Sequence, residues 1–103
     1  MKVEIKELTF KAVIGILDFE RQKPQKVVVD LSFEYDYEKG KFVDYAEVAK
    51  KVTKIMKEKK FGLIEDAILF LEKKLHKLYG MRNLEIRITK PDILKNCKVS
   101  VCK

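Results

Sequence analysis

The chain has no tryptophan, one histidine, two cysteines, two prolines and four glycines among its 103 residues. Each scarcity removes a class of explanation. One histidine, His76, and no Cys-x-x-Cys pair leave no readable set of metal ligands, so no metal is expected. Cys97 and Cys102 lie five apart in one apparent strand, on opposite faces, so no disulfide is expected between them. A reducing cytoplasm fits that cysteine usage. No apolar run is long enough to span a membrane. Charges at Glu4, Lys6 and Glu7 break up any N-terminal leader, so no signal peptide is read.

Lysine is what the chain has in excess. The formal net charge is +7. The lysines are spread over helix faces and loops, and aromatic residues do not interleave with them as in RNA-reading sheets, so a generic basic surface is expected rather than a nucleic-acid partner. With 47% apolar residues in 103, residues 1–103 read as one domain with a modest core.

The pattern along the chain predicts an α+β fold. From Val3 to Ile14 the apolar residues sit first on odd positions (Val3, Ile5) and then on even ones (Leu8, Phe10, Ala12). A bulge near Lys6-Glu7 would absorb that slip. Gly15 to Pro24 reads as a loop, and Val27, Val29, Leu31, Phe33, Tyr35 and Tyr37 alternate as a second strand, ended by a turn at Glu38–Lys41. Asp44 with Glu47 predicts an N-cap and its capping-box partner. The helix that follows carries Tyr45, Val48, Ala49, Val52, Ile55 and Met56 on one stripe. A second helix from near Gly62 has the stripe Ile64, Ala67, Ile68, Leu71, Leu75, Leu78 and stops at Gly80, while His76 falls on its polar flank. Strands over Asn83–Lys90 and about Lys98–Val101 finish the chain. The order is ββααββ, not the βαββαβ of ferredoxin-like RNA-binding domains. Hairpins at both ends predict a four-stranded antiparallel sheet with both helices on one face. Its other face would be polar, and closing several such sheets edge to edge into a multi-subunit barrel would cover the open edges.

Four residues stand out by position: Glu20 in the long loop, Tyr45 in the first turn of helix one, Glu65 in the first turn of helix two, and Lys90, where Pro91 stops strand three. Singly, each has a plainer account. Glu20 is loop solvation, Tyr45 begins an apolar stripe, Glu65 answers a helix dipole, and Lys90 is one lysine among many.

Together they carry a resemblance. Gly15-Ile-Leu-Asp-Phe-Glu20-Arg21, with Gln25 and the strand Val27-Val-Val-Asp30-Leu, resembles the first motif of the dihydroneopterin aldolases. Asp44-Tyr45-Ala46-Glu47-Val48 resembles their second, Leu63-Ile64-Glu65 before a helix their third, and Lys90-Pro91 their fourth. The four motifs stand in the family's order along nearly the whole chain, and ββααββ is the family's tunnelling fold. The connection from Asp36 to Val43 is shorter than the family usually has, and the last strand is short.

The resemblance implies a cytoplasmic enzyme of folate biosynthesis that cleaves 7,8-dihydroneopterin to glycolaldehyde and 6-hydroxymethyl-7,8-dihydropterin. It implies that Glu65 holds the pterin edge as a bidentate acceptor, with Leu63 and Ile64 completing that contact and Asp44 counted with the binding residues. Lys90 would be the general base on the 2′-hydroxyl. Tyr45 of a neighbouring subunit would return the proton to the enol, and Glu20 would orient Lys90, water or the substrate side chain. It also implies a homotetrameric or homo-octameric ring. No cofactor is needed, because the dihydropterin C=N bond is its own electron sink and the protein supplies placement and proton transfer. Two other readings share these residues: an epimerase acting on dihydroneopterin triphosphate at the 2′ carbon, and a non-catalytic tunnelling-fold binding module.

Overall fold

The computed structural model describes residues 1–103. Strands β1 (Lys2–Ala12), β2 (Gln25–Glu34), β3 (Arg82–Lys90) and β4 (Val99–Cys102) form one antiparallel sheet in the order β1-β2-β3-β4. Helices α2 (Tyr45–Lys59) and α3 (Ile64–Tyr79) cover one face, and a short helix, α1 (Asp18–Gln22), lies between β1 and β2. The expected order is therefore present with one addition: the predicted loop Gly15–Pro24 contains α1. No helix is long and apolar enough to cross a membrane.

The inward row of β2, Val27, Val29, Leu31 and Phe33, meets Leu84, Ile86 and Ile88 of β3 and the stripes Val48, Val52, Ile55, Met56 of α2 and Ile64, Ala67, Ile68, Leu71, Leu75 of α3. At β1 the phase slip is real. The β1–β2 register shifts between Ile5 and Leu8, Glu7 takes φ 56°, and its N–H donates to Asp30 Oδ1 at 2.8 Å. One bulged residue thus turns Val3, Ile5, Leu8 and Phe10 all toward the helices.

Several local expectations are corrected. β2 stops at Glu34, and Tyr35 and Tyr37 follow it as irregular chain. Asp44 caps α2 by accepting from the Ala46 N–H at 2.9 Å, but Glu47 closes no capping box; it accepts from Tyr79 Oη at 3.0 Å, where the end of α3 passes the start of α2. Tyr45 and Leu78 do not join the core and are 66% and 45% exposed. Cys97 precedes β4 rather than lying in a strand with Cys102, and both thiols are free.

The second face of the sheet is polar. A hollow of about 480 Å³ there is lined by Glu4, Lys6, Asp30, Ser32, Glu85 and Arg87 among others, and neither Lys90 nor Glu20 reaches it.

Candidate active site

Lys90 is the last residue of β3 and continues the inward row Leu84, Ile86, Ile88. Alternation alone therefore sends its side chain to the core face, and Lys90 is 8% exposed. Gln25, the first residue of β2, continues the row of Val27 and Val29 in the same way. Between these strand ends lies Glu20, carried on α1 and 4% exposed. Its carboxylate is fully engaged. Oε1 accepts from the Leu17 N–H at 3.3 Å, which holds the start of α1, and Oε2 accepts from Gln25 Nε2 at 2.9 Å and Lys90 Nζ at 2.8 Å. Gln25 Nε2 also donates to the Ile14 carbonyl at 2.8 Å.

Burial alone would raise the Glu20 pKa. The hydrogen bonds from Lys90, Gln25 and Leu17, together with the Lys90 charge, outweigh it and hold the carboxyl below the usual value. No buried side-chain nitrogen or oxygen lacks a hydrogen-bond partner. Removing one member of such a pair strands a buried charge, at a cost of about 3–5 kcal/mol. Gly15 makes the seat possible: it sits at φ 132°, and a Cβ there would fall on the Glu20 carboxylate.

The α2–α3 connection comes to the same end of the molecule. Gly15 N–H donates to the Phe61 carbonyl at 3.1 Å, which sets the residues after Phe61 beside the Glu20 segment. Leu63 is the N-cap of α3 and supplies no side-chain cap. The first N–H groups of α3 therefore point outward without helical partners, next to the exposed carboxylate of Glu65. Because α3 runs back along β3, its N-terminus and the Lys90 end of β3 lie together. The fold thus collects Glu20, Leu63, Ile64, Glu65 and Lys90 at one end.

Tyr45 and Asp44 are at the other end. Met1 O accepts from the Tyr35 N–H at 2.9 Å, and a hollow of about 580 Å³ there is lined by Met1, Val3, Tyr35, Tyr37, Phe42 and Tyr45 among others. The C-terminal carbonyl of α2, at Lys60, is held by Arg21 beside Glu20, so the length of α2, roughly 20 Å, separates Tyr45 from the Lys90 end. Within one chain these residues do not meet.

Two polar residues went unassigned in the sequence reading, although both lie in its first motif. Gln25 is legible in hindsight as a polar residue at the inward end of an apolar row, as Lys90 is. Arg21 has no such signal. Its guanidinium donates to the carbonyls of Gly15, Phe61 and Lys60 at 3.1, 3.2 and 3.0 Å, two of them some 40 residues away.

A four-stranded antiparallel sheet in the order ββααββ, backed on one face by two helices, is the tunnelling fold, and here it carries a buried carboxylate–lysine pair at one strand end. The profile of the family described as FolB, dihydroneopterin aldolase, matches residues 3–102. A dihydroneopterin aldolase of Haemophilus influenzae is 34% identical along an alignment 97 positions long that covers 87% of this chain and 82% of that protein. A FolB structure from Vibrio cholerae has a TM-score of 0.88 at 26% identity, covering 100% of this chain and 96% of that one. An Escherichia coli dihydroneopterin aldolase in complex with neopterin shares the fold at a TM-score of 0.89 and 23% identity, again covering 100% and 96%. The chain belongs to the dihydroneopterin aldolase family, lyases of folate biosynthesis.

Proposed function

We propose that this chain cleaves 7,8-dihydroneopterin at the site formed by Glu20, Glu65 and Lys90, completed by Tyr45 of a neighbouring copy in a closed ring. The observation that carries the reading is the buried Lys90–Glu20 pair, 2.8 Å apart at the end of an otherwise apolar row. A desolvated ion pair there is expensive to keep for stability alone, since an apolar replacement is often neutral or better.

In this reading Glu65 accepts two N–H donors from the aminopyrimidine edge, and the free amides of Leu63 and Ile64 complete the contact. The ring then fixes where the side chain lies. Lys90 Nζ has three donors, of which Glu20 takes one, so the amine faces the 2′-hydroxyl while its position is held. After one proton is lost to water, the neutral Lys90 amine keeps its hydrogen bond to Glu20 and its lone pair takes the hydroxyl proton, directly or through water. The bond between the 1′ and 2′ carbons breaks to give glycolaldehyde, and its electrons pass into the ring C=N to leave an enol-like intermediate. A proton returned to the 1′ carbon completes 6-hydroxymethyl-7,8-dihydropterin. Tyr45 is assigned that return, and its distance from Lys90 along α2 is the reason it is assigned to the neighbour. Asp44, as the cap of α2, holds the helix start on which Tyr45 stands. Ring closure through the edges of β1 and β4, as four copies or two stacked rings of four, also removes the open edges.

The epimerase reading would need free cations at the side-chain end of the site, and Arg21, the cation next to Glu20 in sequence, is instead committed to backbone carbonyls. The test is incubation with 7,8-dihydroneopterin, and separately with its triphosphate, followed by assay for glycolaldehyde. Release from the unphosphorylated substrate is expected. Its absence, with 2′ inversion of the triphosphate, overturns the reading.

A further inference from the structure

Arg21 stands on α1 one residue after Glu20, is exposed overall, and makes no ion pair. All its hydrogen bonds go to main-chain carbonyls: Nη1 to Gly15 and Phe61, Nη2 to Lys60. These carbonyls come from two segments far apart in sequence. Gly15 belongs to the segment that seats Glu20. Lys60 and Phe61 close the end of α2, where Lys60 takes the left-handed φ of 49°, and lead directly to Leu63, Ile64 and Glu65. A planar fork that donates in two directions suits this task better than an ammonium, because its donors have fixed relative geometry. The Gly15 N–H to Phe61 bond, at 3.1 Å, is the only other hydrogen bond between the two segments.

We propose that Arg21 is a positioning residue that sets the spacing between the ring anchor and the base. It touches neither the site of the ring nor the site of the side chain. It joins the segment presenting Glu65 to the segment holding Glu20, and through Glu20 it fixes Lys90. The inference rests on the roles proposed above for Glu65 and Lys90. A substrate held at both ends needs the two anchors at one separation, and misplacement by about 1 Å can cost 10²-fold in rate. Binding of the ring alone needs only the anchor.

That difference is the test. Arg21→Met keeps the aliphatic stem and removes the fork. The expected result is a fall in kcat of more than fivefold on 7,8-dihydroneopterin, with affinity for a pterin lacking the side chain changed less than threefold. A smaller fall in kcat, or a loss of ring affinity of threefold or more, overturns the proposal. Arg21→Lys, which keeps the charge and loses the fork, is judged by the same criteria should the Met variant not fold. Lys90→Ala and Glu65→Ala are measured beside it. If they fail to separate turnover from ring binding, the site reading falls and Arg21 with it. If they separate as expected while Arg21→Met retains kcat, the clamp alone is wrong.

Discussion

At the Lys90 end of the sheet, Glu20 and Lys90 are 4% and 8% exposed and paired; at the Tyr45 end, Tyr37, Phe42 and Tyr45 are 55%, 68% and 66% exposed and lie around an open apolar hollow. At the first end the charged pair is finished within one chain, although Ile16, Leu17, Phe19 and Leu63 around it are exposed as well. Its charges are desolvated, its carboxylate accepts three hydrogen bonds, and Arg21 and Gly15 tie its two segments together. The second end exposes aromatic surface that a second copy would cover. The contrast teaches that this chain completes its buried ion pair by itself, while in the proposed reading Tyr45 comes from a neighbouring copy.

The most damaging change to the finished end is Lys90→Ala. Turnover should fall by about 10²–10⁴-fold, the usual contribution of a general base, while affinity for the pterin ring holds. The same change strands Glu20, so stability should fall as well. Lys90→Met combined with Glu20→Gln removes both charges and should regain stability without regaining turnover. Normal turnover in the double variant would end the catalytic reading of the pair.

The two ends can also be separated between chains. Tyr45→Ala and Lys90→Ala, each inactive alone, should recover activity when subunits are mixed and exchanged, because about a quarter of shared sites in a randomly assorted ring carry both intact residues. No recovery after verified exchange, or a monomer by light scattering, removes the shared site.

Glu65→Ala should weaken binding of substrate and of a side-chain-free pterin alike, by about 1.5–3 kcal/mol for a charge-assisted contact. Unchanged pterin affinity, read by fluorescence titration, would show that the anchor is elsewhere.

Acid should weaken the finished end. The folded-state pKa of Glu20 lies below its usual 4.5, so its pairing contributes full stability above that value and loses it as pH falls through the lower, folded one. Thermal unfolding followed from neutral pH into that range should fall more steeply for the parent than for Glu20→Gln. Equal slopes would contradict the pairing.

The smallest effect is expected at the unfinished end. Burial first, and then the hydrogen bond to Glu47, raise the Tyr79 pKa above 10.0. This contribution is complete below that value and is lost as pH rises through the folded one. Tyr79→Phe should cost about 1 kcal/mol or less near neutrality and flatten the alkaline limb of stability. A larger loss in thermal unfolding would mean that the α2–α3 contact does more than one hydrogen bond.

Much of the frame was legible before any coordinates. Alternation located β2 and β3, the change of phase located the bulge at Glu7, and the two apolar stripes located α2 and α3. All of these are patterns within ten or so residues, set by the side-chain period of a strand or helix. The same alternation also carries Lys90 onto the inward row, a parity that reading it as a strand-end lysine passed over. What it left open was whether a buried lysine would find a partner.

The four motifs, as they stand in the sequence, determined the family resemblance, and periodicity determined which face each element buries. Only the tertiary structure decided that Glu20 meets Lys90 across 70 residues, that Glu47 serves Tyr79 instead of its own helix cap, that Arg21 ties the Glu20 segment to the α2–α3 connection, and that Tyr45 lies a helix length from Lys90. The physical reason is range. Periodicity and capping act between neighbours in the chain, whereas the partner of a buried charge is settled by where sheet order and helix direction bring distant ends together.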